Sequence, residues 1–201
     1  MFEIGNVVTF GIWPDASGIP QPVRWVVCIA DENKVKLVTK DVMFNRSFTE
    51  KRWRDSELRR WLNTEIYESI FSDDEKSCIL ESVSTDDQAV VIEKEYFDDC
   101  SKEYYSGVRQ TEPVVSRDRM TIPAMADLFN LAGRRYDYKS KELDTREEYI
   151  LLNCMEGRSS SAHPHIKFMG IATYPNKSGI RPCVWVDTGR AAEKSVLNIL
   201  E

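Results

Sequence analysis

The stretch Trp53-Arg54-Asp55-Ser56-Glu57-Leu58-Arg59-Arg60-Trp61-Leu62-Asn63 constrains this chain more than any other. Leu58, Trp61, Leu62 and Ile66 recur at helical spacing, and Asp55 or Ser56 offers an N-cap. An amphipathic helix therefore begins here, with Leu58, Trp61 and Leu62 as its core-facing stripe. Everything before it reads as strand. Residues 6–10 are short and β-branched, a Pro/Gly-rich loop covers 14–22, and 23–29 and 35–39 flank the polar turn 31–34 as a hairpin. Alternation along 35–39 predicts that one face of the sheet is solvated.

After the signature the spacing predicts more helix. Ser72-Asp73-Asp74-Glu75 is a capping box, and Ile79, Leu80 and Val83 extend a second short helix from it. A third helix is predicted over 123–132, with Pro123 in its first turn, Gly133 past its end, and Met125, Leu128, Phe129 and Ala132 buried. Between them, the acidic and aromatic segment 84–118 is long enough to hide strands such as 89–92. Further strands are predicted at 149–152, 166–169 and 183–187, and the tail 191–200 has weak helical spacing. The expectation is one α+β domain over 1–201, with an insertion at 84–118 and a tail at 188–201.

A chain of 201 residues can bury a full core. Its net charge of -6 argues against broad binding to nucleic acid or anionic membrane. No apolar run is long enough to span a bilayer, and the first residues lack a signal peptide's basic and apolar regions. Cys28, Cys78, Cys100, Cys154 and Cys183 are scattered and odd in number, which suits reduced thiols in a cytoplasmic protein.

The order of motifs resembles the bacterial domain of unknown function six-two-seven-three. Members of that family open with a short F-G strand, here Phe10-Gly11, and a P-[IV]-x-W-x-V strand, here Pro22-Val23-Arg24-Trp25-Val26-Val27. Their W-x-x-S-x-L-R-x-W-L-N helix start corresponds to Trp53, Ser56, Leu58, Arg59, Trp61, Leu62 and Asn63. Phe71-Ser72-Asp73-Asp74-Glu75 follows, and Gly179-Ile180-Arg181-Pro182 leads into a closing strand. The resemblance spans about residues 4–187. The chain departs from it at Tyr149-Ile150-Leu151-Leu152-Asn153, where relatives often have W-W-L-R-S, and at Asp118-Arg119-Met120-Thr121-Ile122-Pro123, before the third helix. A second, topological resemblance is to the C-type-lectin-like fold of variable ligand-binding proteins and formylglycine-generating enzymes. It implies a small twisted antiparallel sheet flanked by two or three helices, with long loops.

Each conspicuous residue has a bland reading beside a functional one. Arg59 fits a buried carboxylate or backbone carbonyls, and Asn63 fits backbone groups. Arg52, Arg54, Arg59 and Arg60 beside Trp53 and Trp61 suggest nucleic acid only superficially, given the acidic chain. His163 and His165, with Cys154, have no recognisable fourth metal ligand, and a Cys154–His163 pair would need an adjacency that the sequence does not display. Asp73, Asp74 and Glu75 answer the helix dipole. Arg181 either points a guanidinium into a loop-lined pocket or tethers the C-terminal loop through its five donors.

The sequence therefore predicts a non-enzymatic recognition module with no metal and no cofactor. Its partner is expected to be an unknown protein or small polar ligand met by the C-terminal loops and the aromatic insertion. Tyr104, Tyr105, His163, His165 and Arg181 are the candidate contacts. Two alternatives stand beside it: an enzyme related to the formylglycine-generating group, using Cys154 and Cys183, and a structural component of a phage or mobile-element assembly.

Overall fold

The computed structural model describes residues 1–46, 53, 56–86, 91–97, 103–109, 114–123, 127, 131 and 178–200. In chain order these form β1 (Val7–Pro14), β2 (Pro20–Ala30), β3 (Lys34–Thr39) and β4 (Phe44–Arg46), then α1 (Glu57–Trp61), a π-helical turn (Leu62–Ile66), α2 (Tyr67–Ile70) and α3 (Asp73–Cys78). Next come β5 (Ile79–Leu80), β6 (Ser82–Asp86), β7 (Val91–Phe97), β8 (Glu103–Arg109) and β9 (Val114–Asp118). Last are β10 (Ser178–Ile180), β11 (Cys183–Asp187), α4 (Thr188–Lys194) and β12 (Asn198–Ile199). The architecture is α+β. A six-stranded sheet runs β12-β1-β2-β3-β11-β5, and two-stranded pairings join β10 to β4, β6 to β9, and β7 to β8. Every one of these pairings is antiparallel.

The hairpin of β2 and β3 forms as its sequence dictates, with a register shift between Val27 and Ile29. Its near face, Trp25, Val27, Val35 and Leu37, joins Val184 and Val186 of β11 against Leu58, Leu62, Ile66, Ile70 and Phe71 of the helices. Burying one such aliphatic side chain stabilises by about 1.5–3 kcal/mol, so this layer holds the helices to the sheet. Trp25 is its centre. The Trp25 indole N–H donates to the Phe10 carbonyl at 2.6 Å, and the ring stacks on Phe71 with centroids 6.1 Å apart.

The Phe10-Gly11 step explains itself here. The β1–β2 register shifts between Thr9 and Ile12, and Gly11 has φ of 77°. A Cβ on Gly11 would lie 2.5 Å from Ile70 Cγ2. Glu75 accepts from the Gly11 N–H at 2.7 Å through Oε1 and from the Ser72 N–H at 2.8 Å through Oε2. The capping-box carboxylate thus closes its own helix end and fastens it to the β1 bulge.

Three expectations need correction. Residues 79–80 and 82–86 are strand, not a continuation of helix: α3 ends at Cys78, then β5 joins β11 and β6 joins β9. The β-branched Val83 and Thr85 tip this short stretch toward extended backbone. Nor is the far face of the sheet solvated. Val26, Val38 and Cys183 align across it at 0% exposure, and Lys36 on that face pairs with Asp127 at 2.7 Å. The tail is helical only through α4, capped by Asp187 and ended by left-handed Ser195, after which β12 pairs with β1. Of the third predicted helix, Asp127 and Leu131 are described and helical. The strands expected at 149–152 and 166–169 lie outside the described residues. The insertion does hold strands, β6 through β9, nested so that β7 and β8 pair between β6 and β9.

Candidate functional site

The signature builds a clamp on one distant segment. Ser56 starts it: the Ser56 hydroxyl donates to the Trp53 carbonyl at 2.8 Å and accepts from the Arg59 N–H at 3.0 Å, capping α1. That turn aims the Trp53 indole and the Arg59 guanidinium at the same carboxylate. Asp118, at the end of β9, accepts from Trp53 Nε1 at 2.9 Å and from Arg59 Nε at 2.7 Å. One helical pitch later, Asn63 Oδ1 accepts from the Arg119 and Met120 N–H groups at 2.8 and 2.9 Å, while its Nδ2 donates to the Met120 carbonyl at 2.8 Å. Asn63 therefore imitates a neighbouring strand for residues that have left the β9 ladder. Asn63→Ala is expected to cost about 1–3 kcal/mol, because it leaves the part-buried Met120 N–H and carbonyl without their side-chain partner. Urea denaturation followed by circular dichroism measures it, and a change below about 0.5 kcal/mol, the range of ordinary surface substitutions, would remove Asn63 from the clamp.

Leu58 and Leu62 are buried as the stripe predicts, but Trp61 is only half-buried. The Trp61 ring stands edge-on to Phe44 at 4.9 Å, with the Arg46 guanidinium 4.5 Å over it. The fully enclosed tryptophan of the signature is Trp53.

Above the clamp lies a cleft of about 300 Å³ lined by Arg59, Arg60, Asn63, Thr64, Glu81, Arg117, Asp118 and Arg119. Strand alternation creates half of it. Ser116, Asp118 and Met120 turn inward, so Arg117 and Arg119 are exposed together. The helix supplies Arg60, Asn63 and Thr64, the last two from the π-helical turn, a feature often found at functional sites. Arg119 donates to the Ile79 carbonyl at 2.8 Å, and Arg117 stands 3.4 Å from Glu81, both arginines being exposed. Arg60 is exposed and has no ion pair among the described residues.

The sequence pointed at other residues. Arg181 is fully buried and donates to the Thr39 carbonyl at 3.1 Å and to the Lys40 carbonyl; beside it the Thr39 N–H donates to the Pro182 carbonyl at 3.0 Å. It ties the chain between β10 and β11 to the end of β3 from inside the protein. Tyr104 and Tyr105 sit on β8, in register with Tyr96 and Lys94 of β7. His163, His165 and Cys154 lie outside the described residues. Among the described residues, no group of three His, Cys, Asp or Glu side chains converges as metal ligands. Burial pushes the thiols of Cys28 and Cys183 well up, so at neutral pH neither is a nucleophile. Burial alone would lower the pKa of Lys36, but Cys183 and Asp127, which also accepts its hydrogen bond, leave it raised.

Residues 32–106 match the model of DUF6273, a domain of unknown function. The DUF6273 match holds the helix signature and the capping box, and it is narrower than the span of 4–187 that the motifs suggest. The clamp's target, Asp118 to Met120, lies beyond it, so the DUF6273 helix closes on a segment outside the matched stretch. No curated protein and no solved structure matches the chain. No described helix is long and apolar enough to cross a membrane.

Proposed function

We infer that this protein is a non-enzymatic recognition module, and that the arginine cleft receives an anionic group carried by a small polar ligand or a protein partner. The observation that carries the reading is the convergence of Arg59, Arg60, Arg117 and Arg119 on one cleft of a chain with net charge -6. Asp118 answers Arg59, and Glu81 answers Arg117 only loosely, so the cleft keeps a positive field in an otherwise acidic surface. Guanidinium forks in such a field favour carboxylate or phosphate oxygens.

The same reading takes the sheet as C-type-lectin-like and the setting as bacterial and cytoplasmic. Its support is the pairing of the first and last strands, the helices packed on one face, and the free, buried thiols of Cys28, Cys78 and Cys183. Tyr104, Tyr105, His163 and His165 belong to the proposed recognition surface because amphipathic rings are frequent interface anchors.

The test is an anion titration. Adding acetate or inorganic phosphate should shift the amide signals of residues 59–64 and 117–119. Arg60→Ala should weaken binding by about tenfold, the loss of one charge-assisted hydrogen bond, with an unchanged melting temperature. Anions that shift no signal in this group would overturn the reading.

A further inference from the structure

The geometry points to a phosphate monoester as the occupant of the arginine cleft, with the Glu81 carboxylate as an internal competitor that the phosphate displaces. This rests on the anion-binding reading above and names its ligand class. Most of the cleft's polar groups are already committed. Asn63 is spent on the backbone of Arg119 and Met120, the Thr64 hydroxyl donates to the Arg60 carbonyl at 2.8 Å, and Asp118 is held by Trp53 and Arg59. What faces the opening is Arg60, Arg117, Arg119 and Glu81. With Arg59 and Asp118 cancelling, three positive charges meet one negative. The excess is two while Glu81 stays and three once it moves aside, which favours a phosphate monoester, at about -1.5 to -2 at neutral pH, over a singly charged carboxylate.

Shape agrees with charge. A carboxylate presents two oxygens in a plane and is satisfied by one guanidinium fork. A phosphate monoester presents three oxygens in a pyramid, suited to forks arriving from different directions. Here one arrives from α1, through Arg60, one from within β9, through Arg117, and one from just past its end, through Arg119.

Glu81 occupies the place where such a ligand would bind. Glu81 stands 3.4 Å from Arg117, with the two side chains 46% and 64% exposed. Pairs of that exposure contribute little, so exchanging this carboxylate for a doubly charged phosphate is favourable. Glu81 lies between β5 and β6, free of either ladder, where its side chain can move aside without breaking sheet hydrogen bonds.

The 201-residue chain, as wild type and as the variants Glu81→Gln, Arg117→Ala and Arg60→Ala, is titrated with phenyl phosphate, inorganic phosphate and acetate at constant ionic strength. Phenyl phosphate should bind at least as tightly as inorganic phosphate, and acetate about tenfold more weakly or worse. Glu81→Gln should tighten phosphate binding about threefold to tenfold, by removing both the competitor and its repulsion. Arg117→Ala should weaken it by a similar factor, and Arg60→Ala repeats that test from the exposed helix should Arg117→Ala lower the melting temperature. Acetate binding as tightly as phosphate would overturn the ligand class and leave the anion-binding reading standing. Inorganic phosphate binding while phenyl phosphate does not would overturn the ester. Unchanged affinity in Glu81→Gln would remove the competitor. If no anion binds at all, the reading beneath falls too.

Discussion

Trp53→Ala is expected to destabilise the protein by about 3–5 kcal/mol, the range for truncating a buried aromatic. Trp53 is 1% exposed, and its indole N–H is one of two donors to the nearly enclosed Asp118 carboxylate. The substitution opens a cavity and leaves Asp118 half-satisfied in the interior, which adds to the cost. Trp61→Ala makes the comparison informative. Trp61 is half-buried and contributes ring contacts to Phe44 and Arg46, so its removal should cost about 1–2 kcal/mol. Chemical denaturation followed by far-ultraviolet circular dichroism compares the two without depending on tryptophan fluorescence. Equal losses would contradict the division of the signature into an enclosed and a peripheral tryptophan.

Breaking the Lys36–Asp127 pair is expected to have a similar effect. The two side chains are 12% and 4% exposed and 2.7 Å apart, so Lys36→Ala or Asp127→Ala removes one side of an enclosed ion pair. Such losses run to about 3–5 kcal/mol. Replacing both at once, Lys36→Met with Asp127→Leu, should restore stability to within about 1–2 kcal/mol, because two apolar groups need no mutual compensation. A double variant as weak as either single would show that the pair is not the tether. The pair also has a pH signature. The Lys36 pKa is raised in the folded chain, so its contribution is complete below the unfolded lysine value of about 10.4 and fades as pH climbs through the folded one. The stability gap between wild type and Lys36→Met should stay level from about pH 6 to 9 and narrow in more alkaline buffer.

How much of this was legible beforehand depends on whether a signal is local. The β2–β3 hairpin, the Ser56 cap and the Ser72–Glu75 box are set by neighbours in sequence, and each forms where its residues dictate. Ile79, Leu80 and Val83 misled because three apolar positions so spaced fit a helix as readily as a strand, and the pairing of β5 with β11 decided between them. Lys36 reads as a solvent-facing charge because its partner, Asp127, lies 91 residues away. The arginine cleft was hidden for the same reason. Arg59 and Arg60 stand out in sequence, but the arginines that complete the site arrive from the far end of the insertion. One cue was present: Arg117 and Arg119 alternate with Ser116, Asp118 and Met120, which puts both guanidiniums on one side of extended backbone.

The nesting of β6 to β9 gives the insertion a natural graft point. Ser82 is paired with Asp118, so the chain leaves the body and re-enters it one strand spacing apart, about 4.8 Å. The clamp from Trp53, Arg59 and Asn63 holds the returning end at Asp118 to Met120, whatever lies between. Closing a longer span across a fixed gap costs only about 0.6 kcal/mol per doubling of its length. The body and the insertion are therefore free to vary separately. One side of the arginine cleft belongs to the helix and the other to the root of the insertion, so a change within the insertion leaves the arginine-lined floor in place.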